Sequence, residues 1–242
     1  MSGQQYHVVF FDAAGTLFHV QGSVAEIYLR HAERHGFKKT EESLAAIKAA
    51  FARAFSEAPP PVFAATEPAT IKQSERLWWF DIVHNVFYRV GMFKRFDEFF
   101  EEIFQVFERA ETWRLYPETV TVLKTLKDQG YELGIISNFD SRLFPILRGL
   151  GIADYFDTVT ISSLAHAAKP SVRIFQRALE KHAIDPGDAL HIGDSLRDDV
   201  EGALNAGLTA VHLAREETAG RAEGAKTITT LSELLPDLSR VE

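Results

Sequence analysis

The chain has 242 residues, of which 46% are hydrophobic and 25% charged, the make-up of an ordinary water-soluble globule of one large domain, or one domain with an insertion. Its net charge of -8 argues against a nucleic-acid or membrane-surface protein, because no basic stripe answers a phosphate backbone, although a local positive pocket for a small phosphorylated ligand remains open. The absence of cysteine excludes disulfides, thiolate metal sites and thiol catalysis.

The residues Met1-Ser2-Gly3-Gln4-Gln5 lack the basic and apolar regions of a secretory signal. No apolar run approaches the ~18 residues of a membrane span, so a cytoplasmic protein is expected. The apolar run Val8 to Phe11 then predicts a strand covered on both faces. Asp12 follows at its C-terminal end, where open α/β sheets place their ligands, and Gly15 permits the bend after it.

From about Val20 to Arg114 the pattern is helical and holds most of the 19 phenylalanines, which predicts a separate aromatic core. Ser23 and Glu26 have capping-box spacing, and the helix they open runs from Val24 to His35, ending at Gly36. Further helices are predicted over Glu41 to Phe55, Ile71 to Val90 and Phe96 to about Glu111. Pro59-Pro60-Pro61 reads as a rigid connector, and Trp78-Trp79-Phe80 as core of this zone.

From Tyr116 onward helices and strands alternate. A helix over Glu118 to Gln129 leads to a buried strand, Glu132 to Ile136, that ends at Ser137-Asn138. A helix to Gly149, a strand over Thr158 to Ile161 and a helix over Ser171 to His182 follow. The strand Ala189 to Ile192 ends at Gly193-Asp194; a helix from about Asp199 to Asn205 and a strand over Ala210 to Leu213 come next. Regular alternation with short connections predicts an α/β fold with a Rossmann-like, doubly wound parallel sheet. Val8 to Phe11 belongs to that sheet, so the predicted division is a core of residues 1–19 and 115–242 and an all-helical insert of residues 20–114.

Four polar clusters stand at or just beyond element boundaries: Asp12 to Thr16, Ser137-Asn138, Lys169-Pro170, and Asp194 with Asp198-Asp199. They offer a nucleophile, hydrogen-bond donors, a cation and acidic ligands, the set that phosphoryl transfer needs. In order and spacing they resemble the four motifs of the haloacid dehalogenase (HAD) superfamily, with Asp12-Ala13-Ala14-Gly15-Thr16 first, Ser137 second, Lys169 third and Gly193-Asp194-Ser195-Leu196-Arg197-Asp198-Asp199 fourth. The helical zone resembles the cap that one subgroup inserts after its first motif.

The resemblance implies that Asp12 is a nucleophile that becomes an aspartyl-phosphate. Thr16, Ser137 and the adjoining Asn138 supply hydrogen bonds, and Lys169 neutralises charge. It also implies Mg²⁺ held by Asp12, the Ala14 carbonyl, Asp194 and one of Asp198 and Asp199, with Asp199 favoured. The superfamily's phosphatases carry a second aspartate, a general acid–base, where this chain has Ala14. Its loss costs roughly 10²–10⁴-fold, or about 3–5 kcal/mol of barrier.

Three chemistries accommodate Ala14. One is a phosphatase with a good leaving group, or with an acid from the cap such as His31, His35 or His84. Another is dehalogenation, which needs neither proton nor metal. The last is phosphonate cleavage through a cap lysine, for which Lys48 is nearest. A catalytically silent, ligand-binding HAD fold is the alternative from a different class. The expected partner is a small phosphorylated substrate, with neither nucleic acid nor membrane.

Overall fold

The computed structural model describes residues 6–215 and 223–238; the outermost ends of the predicted core, and residues 216–222 within it, lie outside that range. Strand β1 (Val8–Phe11) is fully buried, as its unbroken apolar run requires. After the turn that carries Asp12 comes β2 (Phe18–Val20), and then four helices: α1 (Val24–Arg34), α2 (Ser43–Glu57), α3 (Pro68–Val90) and α4 (Phe96–Val106). The chain returns through β3 (Trp113–Leu115), antiparallel to β2 with Phe18 opposite Leu115 and Val20 opposite Trp113. This short ribbon, where the sequence pattern predicted no strands, bundles the exit from the sheet layer with the return to it.

Beyond the ribbon lie α5 (Thr119–Asp128), β4 (Glu132–Ser137), α6 (Leu143–Gly149), β5 (Thr158–Ile161), α7 (Ser162–Ala165) and α8 (Val172–His182). Then follow β6 (Ala189–Gly193), a π-helical turn over Leu196–Glu201, α9 (Gly202–Asn205), β7 (Thr209–Leu213), β8 (Lys226–Ile228) and α10 (Leu235–Leu238). The six-stranded sheet has the order β5-β4-β1-β6-β7-β8 and is parallel throughout. The winding reverses across β1, so the switch point, where doubly wound sheets hold their ligands, falls at the end of that strand.

Apolar side chains form three clusters. Val9, Phe11, Leu133 and Ile192 belong to one face of the sheet; Val8, Phe10, Ile174 and Phe175 belong to the other. The third cluster lies wholly among the helices between β2 and β3 and centres on Tyr28, Phe87, Phe99 and Phe100. Edge-to-face aromatic contacts knit it, such as Phe87 on Phe99 with centroids 5.0 Å apart. Ser23 caps α1 as the sequence predicts: its side chain accepts from the Glu26 N–H, and Glu26 reaches back to the Ser23 N–H. No helix of the described residues is long and apolar enough to cross a membrane.

Candidate active site

Asp12 leaves β1 at the switch point, and its N–H donates to the Ile192 carbonyl at 2.8 Å, extending the ladder by one residue. The turn behind it is clamped by Arg215, which donates to the carbonyls of Gly15 (3.2 Å) and Thr16 (2.7 Å). Arg215 is itself held by Glu118 at 2.8 Å and lies 3.3 Å above the Tyr116 ring. Gly15 has φ of 96°, and a Cβ there would stand 2.5 Å from Asp194 Oδ2. The glycine is needed both for the turn and for the approach of a second carboxylate.

Ser137 ends β4 beside Asp12, and Asn138 follows it. Asn138 pins the Lys169 backbone from both sides: its Nδ2 donates to the Lys169 carbonyl at 3.0 Å, and its Oδ1 accepts from the Lys169 N–H at 2.8 Å. The lysine side chain, so aimed, bridges Asp12 Oδ1 at 2.6 Å and Asp199 Oδ1 at 2.5 Å. Asp199 further accepts from the Ser195 N–H at 2.9 Å and pairs with His191 Nε2 at 2.9 Å. A Cβ on Gly193 would sit 2.1 Å from Asp199 Cγ, so that position admits only glycine. One carboxylate oxygen each from Asp12, Asp194 and Asp199 lies within 4.8 Å of the others.

The electrostatics follow from burial and from this bridge. Burial and the neighbouring Asp199 charge push Asp12 up, against the pull of Lys169 and a Ser137 hydrogen bond. Desolvation of its carboxyl at the cavity edge, then Asp12 and Asp199, push Asp194 up to about 7, although the residue as a whole is exposed. Burial opposes ionisation of Asp199 too, but Lys169 and His191 outweigh it and hold that carboxyl well below the usual range. Burial works against the Lys169 charge, yet its two carboxylate partners keep it above the ordinary lysine value. Burial lowers His191 against the opposing pull of Asp199, with which its Nε2 pairs. His191 packs edge-on against Phe175, 5.3 Å away, as a core histidine does, and its contact with Asp199 adds a positioning role.

A cavity of about 710 Å³ opens on this edge. Asp12, Ala14, Ser137, Asn138, Lys169, Asp194 and both Asp198 and Asp199 line it; Thr16 does not, and its buried hydroxyl has no hydrogen-bond partner. Asp198 is half-buried, and only its backbone N–H is engaged, by the Ser195 hydroxyl at 3.1 Å. The opposite wall comes from the helices. Both Trp78 and Trp79 line it, as do Pro59, Pro60 and Pro61, so those segments are more than core filler and connector. Their spacing could not tell the wall of a cavity from the inside of a core.

Three histidines and one lysine of the helical segment, named from the sequence, do not line this cavity. His31 and His35 both pair with Glu102, at 2.7 and 2.6 Å; His84 stacks on Phe80; Lys48 is solvent-exposed on α2. A network that sequence reasoning missed joins the helices to the loop after β4. Asp140 holds Arg142 through Oδ1 at 2.9 Å and Oδ2 at 2.6 Å, and Trp79 Nε1–H donates to Oδ2 at 2.6 Å. Glu75 of α3 accepts from the Ser141 N–H at 2.9 Å and from its hydroxyl.

A doubly wound parallel sheet, a lysine-bridged carboxylate cluster at its switch point and a helical layer across the cavity define a class of capped α/β proteins. The chain belongs to the haloacid dehalogenase-like hydrolase family, whose model matches residues 6–207. The human haloacid dehalogenase-like hydrolase domain-containing protein 3 is 30% identical over 208 residues, 84% of this chain and 80% of that protein. A solved HAD phosphatase from Thermococcus onnurineus is similar with a TM-score of 0.68 and 26% identity, over 96% of this chain and 97% of that one. A 2-haloacid dehalogenase from Pseudomonas syringae shares the fold, with a TM-score of 0.63 and 24% identity over 96% of this chain and 97% of that one.

Proposed function

We propose that this HAD-like hydrolase is a Mg²⁺-dependent phosphoric monoester hydrolase that acts on a small phosphorylated molecule through a covalent intermediate on Asp12. Residues 1–19 and 115–242 form its catalytic core, and residues 20–114 its cap. The observation that carries the reading is the gathering of Asp12, Asp194 and Asp199 within 4.8 Å around the Lys169 bridge. A halide-releasing site needs no such acidic cluster. Ala14 by itself suits either chemistry; the carboxylates favour phosphate.

The residues fit a hard divalent cation. Asp12 and Asp194 are both pushed up by desolvation and by their carboxylate neighbours, a repulsion that a cation relieves. Asp12, Asp194, Asp199 and the Ala14 carbonyl are the proposed ligands. When bound, Mg²⁺ supplies charge neutralisation at the phosphoryl oxygens. Lys169 orients Asp12 through Oδ1 and balances the charge that develops beside it. Ser137, on the cavity wall, is the proposed hydroxyl donor to the phosphoryl group. Thr16 lies off the wall with its hydroxyl unpartnered, and Asn138 fixes the backbone that aims Lys169.

In the first step an Asp12 oxygen attacks phosphorus and the ester oxygen departs; in the second, water cleaves the aspartyl-phosphate and restores the carboxylate. The test is a panel of phosphate esters, acyl phosphates and 2-haloacids, each with Mg²⁺ and with EDTA. Phosphate release that requires Mg²⁺ and disappears in Asp12→Asn is the expected result. Halide release unaffected by EDTA overturns the reading, and ligand binding without turnover on any substrate supports the silent alternative.

A further inference from the structure

The cavity wall has two chemically distinct halves. On the sheet side stand the carboxylates, Lys169 and Arg197; on the opposite side stand Phe55, Trp78, Trp79, Phe100, Phe104 and Trp113. Among the described residues, no charged side chain from residues 20–114 lines the cavity. Arg142 is the cation among these rings, 4.9 Å from the Trp79 centroid and 4.4 Å from that of Phe104, and its charge is matched by the two-point contact with Asp140. All three indole N–H groups are already engaged, Trp78 with the Pro59 carbonyl at 2.7 Å, Trp79 with Asp140 and Trp113 with the Phe107 carbonyl at 3.1 Å. A sugar, a carboxylate or a second phosphate in this half would lose hydration without gaining an unpaired opposite charge. An aromatic ring would lose nothing and gain stacking.

Position 14 gives an independent indication. Ala14 lies on the same wall beside Asp12 and has no proton to give a departing oxygen. The helices bring no carboxylic acid or imidazole to replace it; the one titratable group they place on the cavity is the Tyr28 phenol. An aliphatic alkoxide, about as basic as hydroxide (water pKa about 15.7), departs slowly without an acid. A phenolate, whose conjugate acid has a pKa of about 10, departs far more readily.

From these two observations we infer that the substrate class is aryl phosphate monoesters: the ring occupies the aromatic half of the cavity, and the phenolate leaves unprotonated. The inference rests on the phosphatase reading above and narrows it. In the first step the Asp12–phosphorus bond forms, and the phosphorus–aryl oxygen bond breaks with its electron pair on the phenolate, which takes a proton from solvent. In the second, a water oxygen bonds to phosphorus and the bond to Asp12 breaks. The carboxylate is regenerated, and the water protons leave with inorganic phosphate and solvent.

The experiment compares phenyl phosphate with benzyl phosphate, whose ring fits the same half but whose leaving group is an alkoxide, in the Mg²⁺-loaded protein. A kcat/KM at least ~10²-fold higher for phenyl phosphate is expected, since that ratio reports the step in which the leaving group departs. Ala14→Asp narrows that ratio tenfold or more by raising the benzyl rate. For the binding half, 4-carboxyphenyl phosphate should show a KM at least tenfold above that of 4-methylphenyl phosphate. Benzyl turnover within threefold of phenyl, or indifference to the carboxylate, overturns the aryl assignment while leaving a phosphatase in place. Failure to release phosphate from any ester or acyl phosphate overturns the phosphatase reading itself.

Discussion

At position 14 a methyl group faces the cavity beside Asp12, and the consequence is kinetic rather than architectural. The backbone there is unaffected by the side chain lost, so the turn, Lys169 and the acidic cluster can all form. Ala14→Asp is expected to raise turnover of esters with poor leaving groups by a decade or more, measured as kcat on alkyl phosphates. No gain would mean that another group already moves the proton. Gly15→Ala tests the close approach behind it. With φ at 96° and a Cβ 2.5 Å from Asp194 Oδ2, the substitution should displace Asp194 and weaken Mg²⁺ affinity tenfold or more, read by calorimetric titration.

At this scale much was legible: chemistry-bearing residues at strand ends announce themselves by type and by position after an apolar run. His191 and Arg215 did not, because a histidine within a buried strand and an arginine after the last predicted strand carry no signal until their partners are placed. Between Asp198 and Asp199 the sequence favoured Asp199, but only by resemblance and with no geometric reason. A π-helical turn over Leu196–Glu201, which spacing alone does not predict, faces Asp199 inward to Lys169 and His191 and leaves Asp198 half-buried.

Among the elements, α3 and the loop after β4 form the joint between the helical layer and the sheet. Glu75 is 2% exposed and accepts two hydrogen bonds from Ser141, while Trp79, one turn further along α3, donates to Asp140. If residues 20–114 act as the proposed cap, closure over the site would turn on this joint, since closing must exclude water and opening must admit substrate. A double-mutant cycle of Glu75→Gln and Ser141→Ala should give a coupling of about 0.5–3 kcal/mol in chemical denaturation. The same variants should raise KM more than they lower kcat; additive effects within error would show that the contact does not hold the joint.

The helices were readable from caps and periodicity, as Ser23, Glu26 and Gly36 show. Strands β2 and β3 were not: three residues each, they are too short to display alternation, and their pairing spans almost the entire helical segment. Long-range pairing of this kind is set by the register of the layers they join.

In the whole molecule, one apolar cluster covers each face of the sheet and a third lies among the helices, with the cavity between sheet edge and helices. The buried pair of Asp140 and Arg142 sits at that boundary. Burial works against the Asp140 charge, but the guanidinium wins and depresses its folded value. Its contribution is therefore complete above the unfolded aspartate value of about 3.9 and is lost as pH falls through the lower folded value. Asp140→Asn should cost about 3–5 kcal/mol at neutral pH by leaving Arg142 buried without its counter-charge. It should also flatten the fall in stability below about pH 4, measured by urea denaturation across pH. An unchanged acid limb would show that other carboxylates govern it.

The covalent role of Asp12 is the claim on which the rest depends, and rapid quenching of the Mg²⁺-loaded protein with phenyl phosphate tests it most directly. With Ala14 unable to activate water, the second step should lag the first. The account predicts a burst of phenol close to one equivalent per active site and a phosphoryl group on the peptide that contains Asp12, both absent in Asp12→Asn. Steady release of phenol with no phosphoryl group on that peptide, or turnover that survives Asp12→Asn, would contradict it.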